Sequence, residues 1–263
     1  MNEDRYPTRI VSVISGKGGV GKTLVAANLA AALARAAHRV LVLDADLGLA
    51  NLDIILNLTP KETLHELLTG NGMLDNVIMQ APGGFSVLPA GSGLSEYSRL
   101  TDDVRGRLRG VLRDIGKRYD FVLIDTGAGI ADVVLYVASL ADEILLVTTP
   151  EPTALADAYA TIKVLSMQQR RTAVDLVINQ VRKAGEGRTI ATQLQQVADR
   201  FLKPPVCQRV ALRYLGEIPV DAAVGRSVRR RALLLESSPD SPAAQAIVEI
   251  ATTLGRPRAR SAA

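Results

Sequence analysis

Seven short apolar runs recur along the chain, and most are nearly continuous rather than alternating with polar residues. Longer segments with the apolar spacing of helices separate them. Continuous runs are typical of strands buried on both faces, as in a parallel sheet covered by helices. The alternation therefore predicts a doubly wound α/β fold, with a mainly parallel sheet flanked by helices on both faces. The runs are 9–15, 39–44, 85–89, 121–125, 143–148, 174–179 and 212–218.

The length of 263 residues and a hydrophobic content of 48% are sufficient for one large core. We predict a single domain over 1–254, closed by a helix at about 242–254, and a basic tail over 255–263. The first residues lack the apolar stretch of an export signal, and the single cysteine suits a reducing compartment, so we expect a cytoplasmic protein. A formal charge of +4 permits anionic partners, whereas an aromatic content of 3% argues against a base-stacking single-strand binder.

A glycine-rich segment after the first strand has the sequence GKGGVGKT and matches G-x-x-x-x-G-K-[ST]. Its glycines allow backbone N–H groups to wrap around phosphates, and the following helix directs its positive end to the same place. Lys22 is expected to reach the β- and γ-phosphates, and the Thr23 hydroxyl to ligate Mg²⁺. The motif predicts a nucleoside triphosphate site made by Gly18, Gly19, Val20, Gly21, Lys22 and Thr23.

Acidic residues follow two of the predicted strands. Asp44 and Asp46 end the second run, and Asp125 ends the run FVLID. Ligands of doubly wound sheets bind at the carboxyl ends of the strands, where carboxylates can orient water or Mg²⁺. The loop that follows Asp125 has the sequence TGAG and could bring backbone N–H groups, including that of Gly127, to a γ-phosphate. It is a candidate switch that orders with a triphosphate and relaxes after hydrolysis.

The run GKGGVGKT resembles the deviant Walker A motif of the MinD/ParA family of P-loop ATPases. The resemblance implies that Lys17 reaches across a dimer interface to the partner's nucleotide, so that slow ATP hydrolysis depends on ATP-driven homodimerisation. The segment DADLGLANLD is similar to the family's first switch. This similarity implies that Asp46 positions the attacking water, that Asp44 supports either the Mg²⁺ shell or the switch, and that Asn51 contacts nucleotide or partner. Asp125 would hold Mg²⁺ as the Walker B acid.

The same resemblance places the base pocket at two later strand ends. Asn179 would read adenine, since its amide can pair with donor and acceptor edges, although a capping role is the alternative. Pro219 and Asp221 would line the pocket after the last strand. No NKxD-type guanine motif is present at Asn179, so we expect ATP and ADP rather than guanine nucleotides.

Finer details are similar to the FlhG branch of this family, also called YlxH or FleN. They are DADLGLANLD, TLHELLTG at 63–70, VLPAGSG at 87–93 and DTGAGI at 125–130. This branch implies control of flagellar number and placement, with an FlhF-type GTPase and flagellar basal-body proteins as partners. The Gln-rich activator motif of many members is not seen before the first strand. A MinD- or ParA-type positioning ATPase in cell division or DNA partition is the alternative.

Two surfaces are open to more than one interpretation. The helix at 242–254 and the arginines after it could form a weak peripheral anchor on the anionic inner face of the cell membrane, or the helix could simply dock on the core. Arg226, Arg229 and Arg230 have the spacing of one helical face, which could hold DNA non-specifically or remain solvated. An iron–sulfur reductase of the same superfamily is disfavoured, because Cys207 is the only cysteine.

Overall fold

The computed structural model of the protein describes residues 8–46, 51–91 and 101–256. Within these ranges eight strands form one sheet in the order β3-β4-β2-β5-β1-β6-β7-β8. The strands are β1 Arg9–Ile14, β2 Val40–Ala45, β3 Met79–Gln80, β4 Ser86–Leu88, β5 Phe121–Thr126, β6 Glu143–Thr148, β7 Ala173–Val181 and β8 Ala211–Pro219. All neighbours pair in parallel except the short β3, which is antiparallel to β4. The predicted doubly wound fold is confirmed.

Helices cover both faces of the sheet. They are α1 Lys22–Arg35, α2 Leu52–Ile55, α3 Leu64–Thr69, α4 Leu74–Val77, α5 Asp102–Gly116, α6 Asp132–Ser139, α7 Pro152–Gln169, α8 Glu186–Phe201, α9 Ala222–Arg229, α10 Leu234–Ser237 and α11 Pro242–Gly255. One core joins α1, α10 and α11 to one face. On the other face, α7 and α8 cover β6 and β7, while α3 and α5 cover β2 and β5.

The strands begin and end within two residues of the predicted runs, because buried strands carry a strong apolar signal. Every residue of β2 and β5 is buried. The apolar pattern of the sequence does not indicate β3, α6 or the short helices α2, α3, α4 and α10. The apolar spacing over 100–117 predicts a helix, and the structure has α5 there; Leu100 falls outside the described residues.

The C-terminal helix α11 is part of the core. Ile247, Ile250 and Leu254 are at most 1% exposed, and the helix packs against α1 and β8. At its end, Arg9 Nη1 donates a 2.6 Å hydrogen bond to the Leu254 carbonyl. The structure therefore agrees with the docking interpretation of this helix, and a membrane contact that involves the arginines after it stays a prediction. The basic tail beyond Arg256 lies outside the described residues.

The described part of the chain contains no helix both long and apolar enough to cross a membrane.

The loop after β1 lies at the centre of the sheet. β1 pairs with β5 on one side and β6 on the other, and the helices that follow β1 and β6 cover opposite faces. Such a reversal opens a crevice at the carboxyl ends of the strands.

Candidate nucleotide-binding site

A cleft of about 960 Å³ opens at this crevice. Its volume is in the range of small-molecule sites. Most of the residues predicted to bind nucleotide lie along its wall: Gly18, Gly19, Val20, Gly21, Lys22, Thr23, Asp46, Asn51, Gly127, Asn179, Pro219 and Asp221. Asp44 and Asp125 are each 1% exposed beneath it, and Lys17 lies outside it. The structure thus brings together residues that are up to two hundred positions apart in the sequence.

The glycine-rich loop leaves open space where a phosphate chain would lie. A side chain at Gly18 or Gly19 would meet no atom within 4 Å. Gly19 and Gly21 have φ values of 80° and 89°, a region that favours glycine. Helix α1 starts directly after Gly21, and no side chain caps its first N–H groups. These groups are available to an anion, so the residues present fit a bound triphosphate.

Lys22 and Asp125 form an ion pair at the floor of the cleft. The Lys22 Nζ to Asp125 Oδ1 distance is 2.6 Å, and both side chains are buried. Burial raises the pKa of Asp125, while the charge of Lys22 and a hydrogen bond from Thr23 act in the opposite direction. The Walker B acid, the loop lysine and the loop threonine therefore already contact one another where a Mg²⁺–phosphate group would bind.

Asp44 connects the two ends of the first switch. Its Oδ1 accepts a 3.0 Å hydrogen bond from Asp46 N, and its Oδ2 accepts a 3.3 Å bond from Leu52 N. Residues 47–50 between these ends lie outside the described residues. Burial, together with the nearby charge of Asp125, raises the pKa of Asp44 to about 7. Of the two roles predicted for Asp44, this geometry favours support of the switch over direct metal binding.

The loop after β5 is bonded to the end of β1, just before the phosphate loop, and passes beside Asp46. Gly129 N donates a 2.8 Å bond to the Ser15 carbonyl, and Thr126 Oγ1 donates a 3.2 Å bond to Val13 O. A Cβ built at Gly127 would lie 3.5 Å from Asp46 Oδ1. The two candidate switches therefore meet at the wall of the cleft that also carries the phosphate loop.

The opposite end of the cleft is largely apolar, as expected for a base pocket. Val220, Val224 and Val228 line it together with Pro219. Asn179 Nδ2 donates a 2.7 Å bond to Val20 O, and its Oδ1 accepts a 2.9 Å bond from Gln180 N. The Asn179 amide is thus held against the phosphate loop in this arrangement.

Asp221 lines the cleft but directs its carboxylate into the fold. Its Oδ1 accepts a hydrogen bond from Ala223 N at 2.8 Å and caps α9, and its Oδ2 accepts one from Ala243 N at the start of α11. The hydrogen bond from Ala223 N is the main cause that lowers the pKa of Asp221. Its contribution to a base pocket is therefore mainly to hold α9 in place.

Lys17 is bound at the rim, by residues that the sequence analysis missed. Its Nζ lies 2.7 Å from Glu151 Oε1 and 2.8 Å from Thr153 Oγ1, at the start of α7. These partners are more than 130 residues away in sequence, and no local motif marks them. The pair is exposed, and Lys17 lowers the pKa of Glu151.

Within the described ranges no group of three His, Cys, Asp or Glu side chains could hold a metal ion. A Mg²⁺ site built from Thr23, Asp125, nucleotide oxygens and water does not need such a group, since Mg²⁺ keeps several waters and phosphate ligands. His38 packs edge-on against Phe121, and Cys207 packs at the border of the α7–α8 core. The donor set therefore fits nucleotide-bound Mg²⁺ and not a cluster held by protein thiolates.

Comparison with known proteins agrees with this geometry. Residues 8–178 match a family described as an AAA domain, and residues 104–255 match the ParA family, described as NUBPL iron-transfer P-loop NTPase. The antiactivator FleN of Pseudomonas aeruginosa is 41% identical over 94% of this chain and 86% of that protein. The flagellum site-determining protein YlxH of Helicobacter pylori is 34% identical over 96% of this chain and 83% of that protein.

A solved structure shares the whole architecture. The septum site-determining protein MinD of Pyrococcus horikoshii, complexed with Mg-ADP, superposes with a TM-score of 0.76 at 28% identity, over 95% of this chain and 96% of that one. Each of these three relatives aligns with at least 94% of this chain. The chain belongs to the FlhG (FleN/YlxH) branch of the MinD/ParA family of P-loop ATPases.

Proposed function

We propose that this chain is an ATP-dependent dimerising switch that hydrolyses ATP slowly to ADP and phosphate. The observation that carries the proposal is the convergence of the phosphate loop, the Lys22–Asp125 pair and both switch segments on one cleft. The Mg-ADP complex of the P. horikoshii relative supports nucleotide and Mg²⁺ as ligands. In this proposal the bound triphosphate orders the switches, and its hydrolysis releases them.

Each predicted residue has a role consistent with its position. Lys22 would leave Asp125 to neutralise phosphate charge, which frees Asp125 to hold Mg²⁺ together with Thr23. Asp46, at the cleft wall beside Gly127, would orient the attacking water. Asn179 would exchange its bond to Val20 O for the adenine edge. When bound, Mg²⁺ would neutralise the charge that develops on the phosphates.

Exposed apolar residues at the rim of the cleft support a homodimer, in which a second copy of the chain binds the triphosphate-bound form. Ile54, Ile130, Val220 and Val228 are 44–61% exposed around or near its mouth, a distribution that suits an interface. Lys17 is on the same rim, outside its own cleft. It would leave Glu151 and reach the partner's nucleotide, where a positive charge speeds phosphoryl transfer.

The similarity to FleN and YlxH supports a role in regulating flagellar number and placement. On the same basis, an FlhF-type GTPase and flagellar basal-body proteins are the proposed partners. A switch of this kind would bind its partner as the ATP dimer and release it after hydrolysis.

The first test is the mass of the chain in solution by light scattering, with ADP and with ATP–Mg²⁺. The variant Asp46→Ala is included because we expect it to block turnover and so to preserve the triphosphate state. We expect a monomer with ADP and a dimer with ATP, no ATP binding by Lys22→Ala, and ATP binding without hydrolysis by Asp46→Ala. An equal mass in both nucleotides, with ATP demonstrably bound, would refute the dimer switch. Normal hydrolysis by Asp46→Ala would refute its role.

A ParA-type function on DNA is the second candidate, because the predicted basic cluster is exposed. Arg226, Arg229 and Arg230 are solvent-exposed on α9 and at its C-terminus. Val228 of the same helix lines the cleft. Binding to duplex DNA that requires ATP and weakens steeply with salt would support it. Failure to bind duplex DNA at low salt would exclude it.

A further inference from the structure

One residue of β7 has a backbone conformation that strands rarely contain. Gln180 has a φ of 60°, in the left-handed region that residues other than glycine seldom occupy. In the part of the chain that the structure describes, four other non-glycine residues have a positive φ, and each follows the end of a helix, where this conformation is common: Ala37, Asn57, Arg170 and Arg231. Gln180 lies inside a strand instead. Strain of this kind persists where the surrounding structure imposes it, and it clusters at functional sites.

The strained residue forms a β-bulge at the nucleotide cleft. The register shifts between Asn179 and Val181, which pair with consecutive residues of β8, so Gln180 is the extra residue of the bulge. Asn179 and Val181 are buried, whereas Gln180 is the one exposed residue of β7 and lines the cleft. The bulge therefore presents a carboxamide to the cleft at the carboxyl end of the strand.

Hydrogen bonds on both sides hold the bulge in place. Asn179 Nδ2 donates to Val20 O at 2.7 Å, and Asn179 Oδ1 accepts from Gln180 N at 2.9 Å. Val220 N donates a 2.9 Å bond to Val181 O, which joins the bulge to the apolar end of the cleft. The conformation of Gln180 is therefore set before a ligand binds, which lowers the cost of binding one.

The loop between the bulge and α8 is held as well. Glu217 accepts a hydrogen bond from Gly185 N at 2.6 Å and one from Gly187 N at 2.7 Å. Glu186 Oε2 accepts a 2.8 Å bond from Arg182 N. Because the loop is fixed at both ends, it does not move to relieve the strain at Gln180.

We propose that Gln180 binds the polar edge of the nucleotide base and determines which base the cleft accepts. The proposal rests on the proposed function, and it adds a second polar contact to that of Asn179. Both polar atoms of the Asn179 side chain already bond within the chain, whereas the Gln180 side chain makes no hydrogen bond to the described residues. A carboxamide can accept from the amino group of adenine and donate to its N1.

The test is binding of Mg–ADP, Mg–GDP and base-free tripolyphosphate to the full chain, measured by calorimetry. Gln180→Gly removes the carboxamide, and glycine suits the positive φ. We expect its affinity for ADP to fall by about fivefold, the size of one net hydrogen bond, and its affinity for tripolyphosphate to stay unchanged. A purely structural role would weaken the binding of both ligands.

Gln180→Glu tests base specificity. A carboxylate accepts from N1–H and the amino group of guanine, but it repels N1 of adenine. We expect the ratio of ADP affinity to GDP affinity to fall by at least about tenfold. Repulsion between the new charge and the phosphates cancels in this ratio, because both nucleotides carry the same phosphates. Gln245→Glu, at an exposed position of α11, is the matched control and should leave the ratio unchanged.

Three results would each overturn this role of Gln180 and leave the nucleotide site standing. They are ADP binding by Gln180→Gly equal to that of the unaltered chain, an equal loss of tripolyphosphate binding, and an unchanged ratio in Gln180→Glu. If the unaltered chain bound neither ADP nor tripolyphosphate, the proposed nucleotide site would be refuted as well. Both variants change an exposed side chain, so circular dichroism should show them folded.

Discussion

Lys17 and Lys22 belong to the same loop but have opposite environments. Lys22 is 8% exposed and paired with the buried Asp125, whereas Lys17 is paired with the exposed Glu151. An exposed pair contributes about 0–1 kcal/mol, because water screens it. A lysine that adds so little stability to its own chain is free to leave Glu151 for another anion. Lys22 therefore forms part of the site in its own chain, whereas Lys17 can act on a nucleotide outside it.

Replacing Lys17 tests that distinction. We expect Lys17→Ala to change the free energy of unfolding by less than about 1 kcal/mol and to retain ATP binding, while ATP turnover is lost. The measurements are denaturant unfolding, nucleotide binding by calorimetry and phosphate release. Glu151→Gln is the matched control, since it breaks the same pair but keeps Lys17. If Glu151→Gln loses turnover as completely, the pair within one chain is what hydrolysis requires, and the proposed action across a dimer is refuted.

Asp221 provides a prediction on pH. Its folded pKa is lowered, chiefly by the hydrogen bond from Ala223 N, so its contribution to stability is fully present above the unfolded pKa of about 3.9. The contribution is lost as the pH falls through the lower, folded pKa. We expect Asp221→Ala to be less stable by about 1 kcal/mol at neutral pH, the usual size of a lost helix cap. The difference from the unaltered chain should shrink in acid, as measured by unfolding at several pH values. A difference that stays constant with pH would contradict this role.

At the scale of elements, the phosphate loop packs directly against α7. A side chain at Gly16 would collide with the backbone of Asp157 and Ala158, so the loop lies directly on the first turns of that helix. The same helix begins beside Glu151 and Thr153, which hold Lys17. A displacement of α7 would therefore move both the loop and its outer lysine.

Gly16→Ala is expected to separate the loop from α7. Backbone atoms cannot rotate away as a side chain can, so we expect a loss of stability of about 1–3 kcal/mol or more, together with weaker nucleotide binding. Gly18→Ala is the control for stability, because a Cβ there meets no atom within 4 Å. The measurement is the free energy of unfolding of the two variants, by heat or by denaturant. Equal stability of the two would show that the loop and α7 are not tightly coupled.

The helices and strands differ in how clearly the sequence predicts them. The longer strands were predictable because a run of four consecutive buried apolar residues leaves little choice of structure. The four-residue helices α2, α4 and α10 span about one turn, which is too short for an apolar period to emerge. The motif spacing located Lys22 and Asp125, but contacts such as Glu217 with Gly185 N and Gly187 N join segments about 30 residues apart. Such contacts depend on the register of β7 and β8, which no local pattern specifies.

At the scale of the whole molecule, the last helix closes the fold. Helix α11 lies against both α1, which begins at the phosphate loop, and β8, which leads to the base side of the cleft. Arg9 in the first strand bonds to its final carbonyls, and Asp221 bonds to its first turn. The two ends of the described chain are thereby fastened to each other on one face of the sheet.

The contribution of α11 to the stability of the fold can be measured at Ile250. It is 1% exposed and packs so closely on β8 that a Cβ at Gly216 would lie 2.7 Å from its Cγ1. We expect Ile250→Ala to cost about 2–5 kcal/mol, because it removes buried methyl groups and leaves a cavity. Val248→Ala, on the exposed side of the same helix, should change stability by less than about 0.5 kcal/mol. Denaturant unfolding gives both values. If the two variants were equally stable, α11 would be a peripheral helix after all, and its apolar face would again be available to a membrane.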